Sequence, residues 1–160
     1  MRNVSAHRLR WHNTRRSNSL RISIKPKLME TIVPKAHYEY LYKSSFLTLI
    51  SLIYALYRGY YYIALYPTGI LITSLNYWRY PTNGWRRYLD ITVVTSSLTH
   101  HLIIAYRAEN ANYFYIISVA ALCYPLGWYL QDKNPWAATR AHSAMHLIGN
   151  IAAVVLYRTL

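Results

Sequence analysis

The sequence predicts an all-α membrane protein in which about five transmembrane helices form a bundle. Two observations support this prediction: long stretches without charge, and an uneven distribution of basic residues. Ten of the 18 Lys and Arg residues lie within residues 1–43, whereas residues 44–160 are apolar and aromatic with few charges. The mean hydropathy of +0.02 therefore averages two unlike regions. We predict a basic N-terminal arm over residues 1–40 and a transmembrane domain over residues 41–160.

The charge-free stretches locate the helices. A spanning helix needs about 20 mostly apolar residues, and flanking Tyr, Trp, Lys or Arg side chains can extend a shorter stretch into the headgroup layer. None of the stretches has the polar stripe that a helix on the surface of a soluble protein carries. Because Arg58 and Gly59 allow only a tight turn, four spans with the first two fused into one broken helix are the alternative. The predicted spans are residues 41–57, 60–78, 88–106, 112–130 and 139–157.

Aromatic residues gather at the ends of these predicted spans. The chain contains 18 Tyr and five Trp residues, and both residue types prefer a site where one edge of the ring is apolar and the other is wet. The single Cys123 excludes a disulfide within the chain.

Loop charges predict the orientation of the helices. Cytoplasmic loops carry an excess of Lys and Arg, and every alternate loop here follows that rule if the basic arm is inside. We therefore expect the N-terminus on the cytoplasmic side, or on the matrix or stromal side of an organelle membrane. The inner loops would carry Arg79, Arg86, Arg87, Lys133 and Arg140, and the outer ones Arg58, Arg107 and Arg158.

The N-terminal arm itself has three interpretations. Residues 1–29 are rich in Arg and Ser and precede the first acidic residue, Glu30. This composition fits an organelle transit peptide, a basic segment against anionic headgroups, or an extension upstream of a true start at Met29. Nucleic-acid binding is less favoured, because no folded module surrounds these charges.

Four polar residues from three predicted spans fall at a similar depth near the inner surface. At about 1.5 Å of rise per residue, Ser74, Asp90, His142 and His146 all lie one to two turns from the basic loops. Ionisable groups in a membrane are costly and usually face the bundle interior, and residues four apart share a helix face. The two histidines therefore have the spacing of metal ligands. Asp90 and Ser74 also have simpler interpretations, in which Asp90 pairs with a neighbouring arginine and Ser74 packs between helices.

A second histidine pair lies deeper in the third predicted span. His100 and His101 are adjacent and point about 100° apart. We expect them to lie apart from the polar cluster, with one of them facing a partner such as Asn150. A haem shared with a histidine of the last span is a further hypothesis, although the depths match poorly.

The order of Ser74, Asp90, His142 and His146 resembles a membrane hydrolase superfamily that contains the alkaline ceramidases and the progestin and adipoQ receptors. The resemblance implies a zinc ion held by His142 and His146, Asp90 positioning or deprotonating the metal-bound water, and Ser74 polarising the scissile carbonyl of an amide such as ceramide. The chain departs from the family pattern at Trp78, where a third zinc-binding histidine is expected. It also has room for about five helices, whereas the family has seven.

The loop between the second and third predicted spans combines aromatic and basic residues. Within SLNYWRYPTNGWRRYLDI, residues 74–91, three arginines accompany Trp78 and Trp85. These side chains either bind an anionic lipid headgroup or simply anchor the loop at the membrane surface. The arginines concerned are Arg79, Arg86 and Arg87.

Two functional hypotheses follow. In the first, the chain is a zinc-dependent membrane lipid hydrolase or a receptor-like relative of one. In the second, it is a non-enzymatic membrane protein, such as an accessory subunit of a larger complex or a viral membrane protein. The second hypothesis makes the polar cluster structural, with His142 or His146 hydrogen-bonded to Asp90.

Overall fold

The structure is a computed structural model that describes residues 31–160. Within that range every regular element is a helix, which confirms the all-α fold class. The basic arm predicted over residues 1–30 lies outside the described residues. The elements are α1 (Lys35–Ser45), a 3₁₀ turn (Phe46–Thr48), α2 (Leu49–Tyr57), α3 (Tyr61–Trp78), α4 (Trp85–Arg107), α5 (Ala111–Gln131) and α6 (Pro135–Thr159).

The predicted arm, residues 1–40, includes the start of the first helix. Helix α1 begins at Lys35, directly after Pro34. One turn later, His37 is buried against α6, where its Nδ1 lies 2.7 Å from the hydroxyl of Thr139. Packing against a distant helix therefore orders a segment whose local composition is polar.

The first helical segment bends at the 3₁₀ turn. The hydroxyls of Ser44 and Ser45 both donate to the carbonyl of Leu41, at 2.9 Å and 3.0 Å. Such side-chain bonds compete with the backbone ladder and often bend helices.

A tight turn at Arg58 and Gly59 then separates α2 from α3. Gly59 adopts a φ of +73°, a left-handed conformation that favours glycine, and the amide of Tyr60 donates to the carbonyl of Ala55 at 2.9 Å. Arg58 donates to the hydroxyl of Tyr54, and this bond raises the pKa of the guanidinium above its ordinary value.

Local sequence also fixes the starts of the last two helices. The side chain of Asn110 accepts a hydrogen bond from the amide of Tyr113, and Asn134 does the same for Ala137, each at 3.0 Å. Both are N-caps, which satisfy amides that a helix start leaves unpaired. Pro135 follows the second cap in the first turn of α6, where its missing amide costs nothing.

Helix α6 is the centre of the bundle. It packs along α5 and also contacts α1 and α2, whereas α4 packs mainly on α3 and has little contact with α5 or α6. Small residues allow close approach at one end of the bundle, where the buried cluster contains Ala55, Ala64, Ala105 and Ala152. The sparse contact between α4 and α6 leaves space inside the bundle.

About half of the buried residues of this bundle are polar, and many large apolar side chains are exposed. Ser51 is 2% exposed and Asp90 is 9% exposed, whereas Ile72 is 63% exposed and Leu122 is 67% exposed. By length and apolar composition, one of the described helices, α5, qualifies as a membrane-spanning helix.

Candidate functional site

Helices α3 and α4 meet at a buried carboxylate. The Oδ1 atom of Asp90 accepts hydrogen bonds from the hydroxyls of Thr73, at 2.9 Å, and Ser74, at 2.7 Å. The structure therefore brings together Ser74 and Asp90, two residues that the sequence placed at one depth. Thr73 is an additional partner that the sequence analysis missed.

The carboxylate of Asp90 does not take part in the interactions expected of it. Within residues 31–160 the one ion pair joins Lys35 to Glu39 at 3.6 Å, so Asp90 is not paired with a neighbouring arginine. Its hydrogen bonds come from α3, and none of them comes from His142 or His146. The expected link from Asp90 to α6 is absent from the hydrogen bonds of the described residues, where both bonds to Oδ1 of Asp90 come from α3.

The two histidines of α6 lie together on one face, as their spacing predicts. The ring centroids of His142 and His146 are 5.0 Å apart. Trp78, one turn beyond Ser74 on α3, packs edge-on against His142 with centroids 5.2 Å apart. Trp78 holds the position where the resemblance predicts a third histidine. Its indole ring lies beside His142.

A catalytic zinc ion would need a ligand in addition to His142 and His146. Such a site uses three protein ligands and one open position. Within the part of the chain that the structure describes, no group of three or more His, Cys, Asp or Glu residues is close enough to share a metal ion. Trp78 offers only an indole N–H, which is a donor and no metal ligand. Zinc binding by His142 and His146 stays a prediction.

A cavity of about 200 Å³ occupies the space that α4 and α6 leave between them. Ser74 and His146 both line it, and so does His101. His101 therefore shares the cavity with two residues of the polar cluster, although it lies 11 residues after Asp90 on α4. His100 stacks instead on Tyr66 with ring centroids 4.3 Å apart, outside this cavity.

His101 links α4 to α6 through hydrogen bonds to both of its ring nitrogens. Its Nδ1 lies 2.7 Å from the carbonyl of Ser97, and its Nε2 lies 2.6 Å from the hydroxyl of Tyr157. A carbonyl can only accept, so Nδ1 carries the proton and Nε2 accepts from Tyr157 in the neutral ring. The sequence analysis missed Tyr157 as a partner and proposed Asn150 instead.

Asn150 has another partner across the bundle. The hydroxyl of Ser51 donates to Oδ1 of Asn150 at 2.5 Å, and the amide of Asn150 donates to the carbonyl of His146 at 2.7 Å. These bonds connect α2 to α6 and satisfy the polar groups on this wall of the cavity.

A pattern in the sequence could have found the buried face of α4. Asp90, Ser97, His101 and Ala105 are buried and recur at intervals of seven and four residues, which is the spacing of one helix face. No equivalent signal identifies their partners, since those come from helices distant in the chain.

The three arginines proposed for headgroup binding lie at the turn between α3 and α4. Arg79 is exposed, Arg87 donates to Oδ1 of Asn83 at 2.6 Å, and Arg86 lies over the Trp85 ring with its guanidinium carbon 5.7 Å from the centroid. They are separate from the cavity. Headgroup binding by them stays a prediction.

No family model matches the sequence, and comparisons with curated proteins and with solved structures found no match either. The class of protein that the fold defines is an all-α helical bundle with an internal cavity.

Proposed function

We propose that the chain is a multi-pass integral membrane protein without catalytic activity, whose buried polar side chains hold its helices together. The observation that supports this proposal is the distribution of side chains, since many Ser, Thr, His, Asn and Asp residues are buried while many large apolar residues are exposed. A soluble protein of this size rarely exposes so much contiguous apolar surface. In a bilayer, lipid chains would cover that surface.

Hydrogen bonds between helices support the structural role of the polar residues. Helices in lipid gain little from apolar association and are often joined by polar side chains. Here such bonds connect α1, α2 and α4 to α6, and α3 to α4. The pairs are His37 with Thr139, Ser51 with Asn150, His101 with Tyr157, and Thr73 and Ser74 with Asp90.

The helices other than α5 fall short of the length or the apolar composition of a spanning helix. Helices α1 and α2 are short, with 11 and 9 residues, because the 3₁₀ turn interrupts them. Helix α3 contains four tyrosines, and α4 is rich in Ser and Thr. These hydroxyls can be satisfied within the helix, as when Thr99 donates to the carbonyl of Thr95 at 2.9 Å. We therefore include all five helical segments in the membrane domain, with α1 and α2 counted as one segment and α3, α4, α5 and α6 as the others.

Leu122 provides a direct test of this proposal. It lies near the middle of α5 and is 67% exposed, so Leu122→Lys puts a charge either into water or into lipid. In water an exposed substitution changes stability by about 0.5 kcal/mol or less, whereas Lys at a membrane helix centre costs about 2.5 to 3.5 kcal/mol on insertion scales. We expect Leu122→Lys to reduce sharply the fraction of protein that resists alkaline extraction from membranes.

Gln131→Lys is the matched control, because Gln131 is exposed at the end of the same helix and a charge there can reach the headgroup layer. This variant should stay in the membrane pellet. Release of the wild-type chain by alkaline carbonate, or equal behaviour of the two lysine variants, would refute the membrane assignment.

The proposed orientation places the arm, and the loop after α5, on the cytoplasmic, matrix or stromal side. In a Cys123→Ser background, Lys133→Cys and Asn112→Cys put a single thiol at opposite ends of α5. An impermeant thiol reagent added to sealed vesicles should label one variant and spare the other. Labelling of both from the same side would contradict the predicted topology.

A shortened relative of the membrane hydrolases that lacks the metal is the second candidate. The contact between Trp78 and His142 favours it, since the resemblance predicts that this position of α3 faces the histidines of α6. On this interpretation, α3 and α6 keep the arrangement of the hydrolases, and Trp78 has replaced the third zinc-binding histidine. The accompanying experiment is the metal analysis described in the Discussion.

A further inference from the structure

We propose that the cavity between α4 and α6 binds a small neutral molecule that carries one hydroxyl group on an apolar ring or short chain, and that His146 is its hydrogen-bond partner. This inference goes beyond the proposed membrane role and requires no catalysis. It depends on the size of the cavity, the character of its wall and one unsatisfied nitrogen.

The size of the cavity limits the ligand. Its volume is about 200 Å³, and an apolar cavity of about 150 Å³ in a protein core can bind benzene. The cavity therefore has room for a ring with a small substituent, but not for an entire phospholipid.

The wall of the cavity selects a neutral molecule. Among residues 31–160, no Asp, Glu, Lys or Arg lines it, and much of the wall is apolar, including Ile70, Leu98, Ile117 and Met145. A charged ligand would lose its hydration without an opposite charge to replace it. A ring or short hydrocarbon chain would instead exchange water for apolar contact.

One polar atom defines where the ligand would be anchored. Among the described residues, Nδ1 of His146 is the buried side-chain nitrogen or oxygen atom without a hydrogen-bond partner. Other polar groups on the wall have partners within the bundle, as Ser51 has Asn150 and His101 has Tyr157. A hydroxyl both donates and accepts, so it would satisfy Nδ1 in either tautomer of the neutral ring.

The same helix arrangement provides a route of entry. Helix α4 has little contact with α5 beyond their connecting turn. Leu98 on α4 and Ala121 on α5 both line the cavity and are also exposed on the outer surface. The molecule would therefore enter sideways between these helices, from the apolar surroundings of the bundle.

The test uses the full chain in detergent micelles and two fluorinated probes, 4-fluorophenol and 4-fluorotoluene, which differ in their hydroxyl and methyl groups. Fluorine NMR titrations, corrected for partition into empty micelles, give an affinity for each probe. One net hydrogen bond should make 4-fluorophenol bind about 2- to 10-fold more tightly. Equal affinity of the two probes for the wild-type chain would overturn the proposal.

His146→Phe should abolish the preference for the phenol while 4-fluorotoluene still binds. His142→Phe is the matched control, because His142 lies one turn away on the same helix and does not line the cavity; this variant should keep the preference. An unchanged preference in His146→Phe would show that His146 is not the anchor.

Gly149→Leu tests the cavity without altering His146. Gly149 lines the cavity, and a Cβ atom added there meets nothing within 4 Å, so a leucine can fill the space. Binding of both probes should fall at least 10-fold. The Gly149→Leu titration tests binding in the cavity even if His146→Phe does not fold. Undiminished binding of the probes to this variant would show that they bind elsewhere.

Discussion

The bond between His101 and Tyr157 makes the sharpest prediction about stability. Tyr157→Phe removes the hydroxyl that lies 2.6 Å from Nε2 of His101 and leaves the aromatic ring in place. The Nδ1 atom of that histidine is already occupied by the carbonyl of Ser97. The change therefore leaves one buried acceptor without a partner and creates little new space.

The burial of the pair sets the size of the effect. Tyr157 is 0% exposed and His101 is 5% exposed, so bulk solvent cannot replace the lost donor. A buried unsatisfied polar group costs about 1 to 3 kcal/mol, whereas hydrogen bonds between membrane helices average about 0.6 and reach about 1.7 kcal/mol. We expect Tyr157→Phe to lower the free energy of unfolding by about 1 to 2 kcal/mol.

Unfolding of the purified chain by a denaturing detergent, with the mild-detergent concentration held constant, measures this loss. Tyr106→Phe is the control, because Tyr106 is 77% exposed on α4 and should change stability little. His101→Leu should also lower the free energy of unfolding. The double variant, His101→Leu with Tyr157→Phe, should lose less than the sum of the two single losses, since replacing both partners removes the unsatisfied atom. A loss in Tyr157→Phe no larger than in Tyr106→Phe would refute the reasoning.

Two further predictions concern α6 and its neighbours. Gly149→Ala should raise the free energy of unfolding by up to about 1 kcal/mol, because alanine is the better helix former and its Cβ meets nothing within 4 Å. Gly69→Ala should raise it less, since the added Cβ would lie 3.3 Å from a side chain of α4. We expect elemental analysis of the purified wild-type chain to find no stoichiometric zinc, and Trp78→His, which places a third imidazole beside His142 and His146, to acquire it. Stoichiometric zinc in the wild type that His142→Ala with His146→Ala removes would instead favour the hydrolase hypothesis.

The sequence predicted the helices well because helix-forming signals are local. Charge-free stretches are followed within three residues by turn residues such as Gly59, Pro81 and Asn134, and the five predicted segments each coincide with helical structure. Their ends differ by a few residues because caps and tertiary contacts set the last turn. The start of α1 is the largest difference, since His37 depends on Thr139, about a hundred residues away in the chain.

The candidate site was predicted in part. Depth along the helix axis placed Ser74 beside Asp90 and paired His142 with His146, since both follow from helix geometry. Rotation of one helix about its axis relative to another does not follow from depth, so the sequence joined Asp90 to the wrong helix.

The sequence by itself determined an all-α chain, the positions of its helices and the polar residues at one depth. Only the tertiary structure decided which of those residues meet: Asp90 with the hydroxyls of α3, His101 with Tyr157, and His146 with the wall of a cavity. The physical reason is that hydrogen bonding and apolar periodicity within a helix are set by neighbours in the chain. The cavity depends instead on how far α4 is held from α6, and that distance is set by side chains on every helix of the bundle.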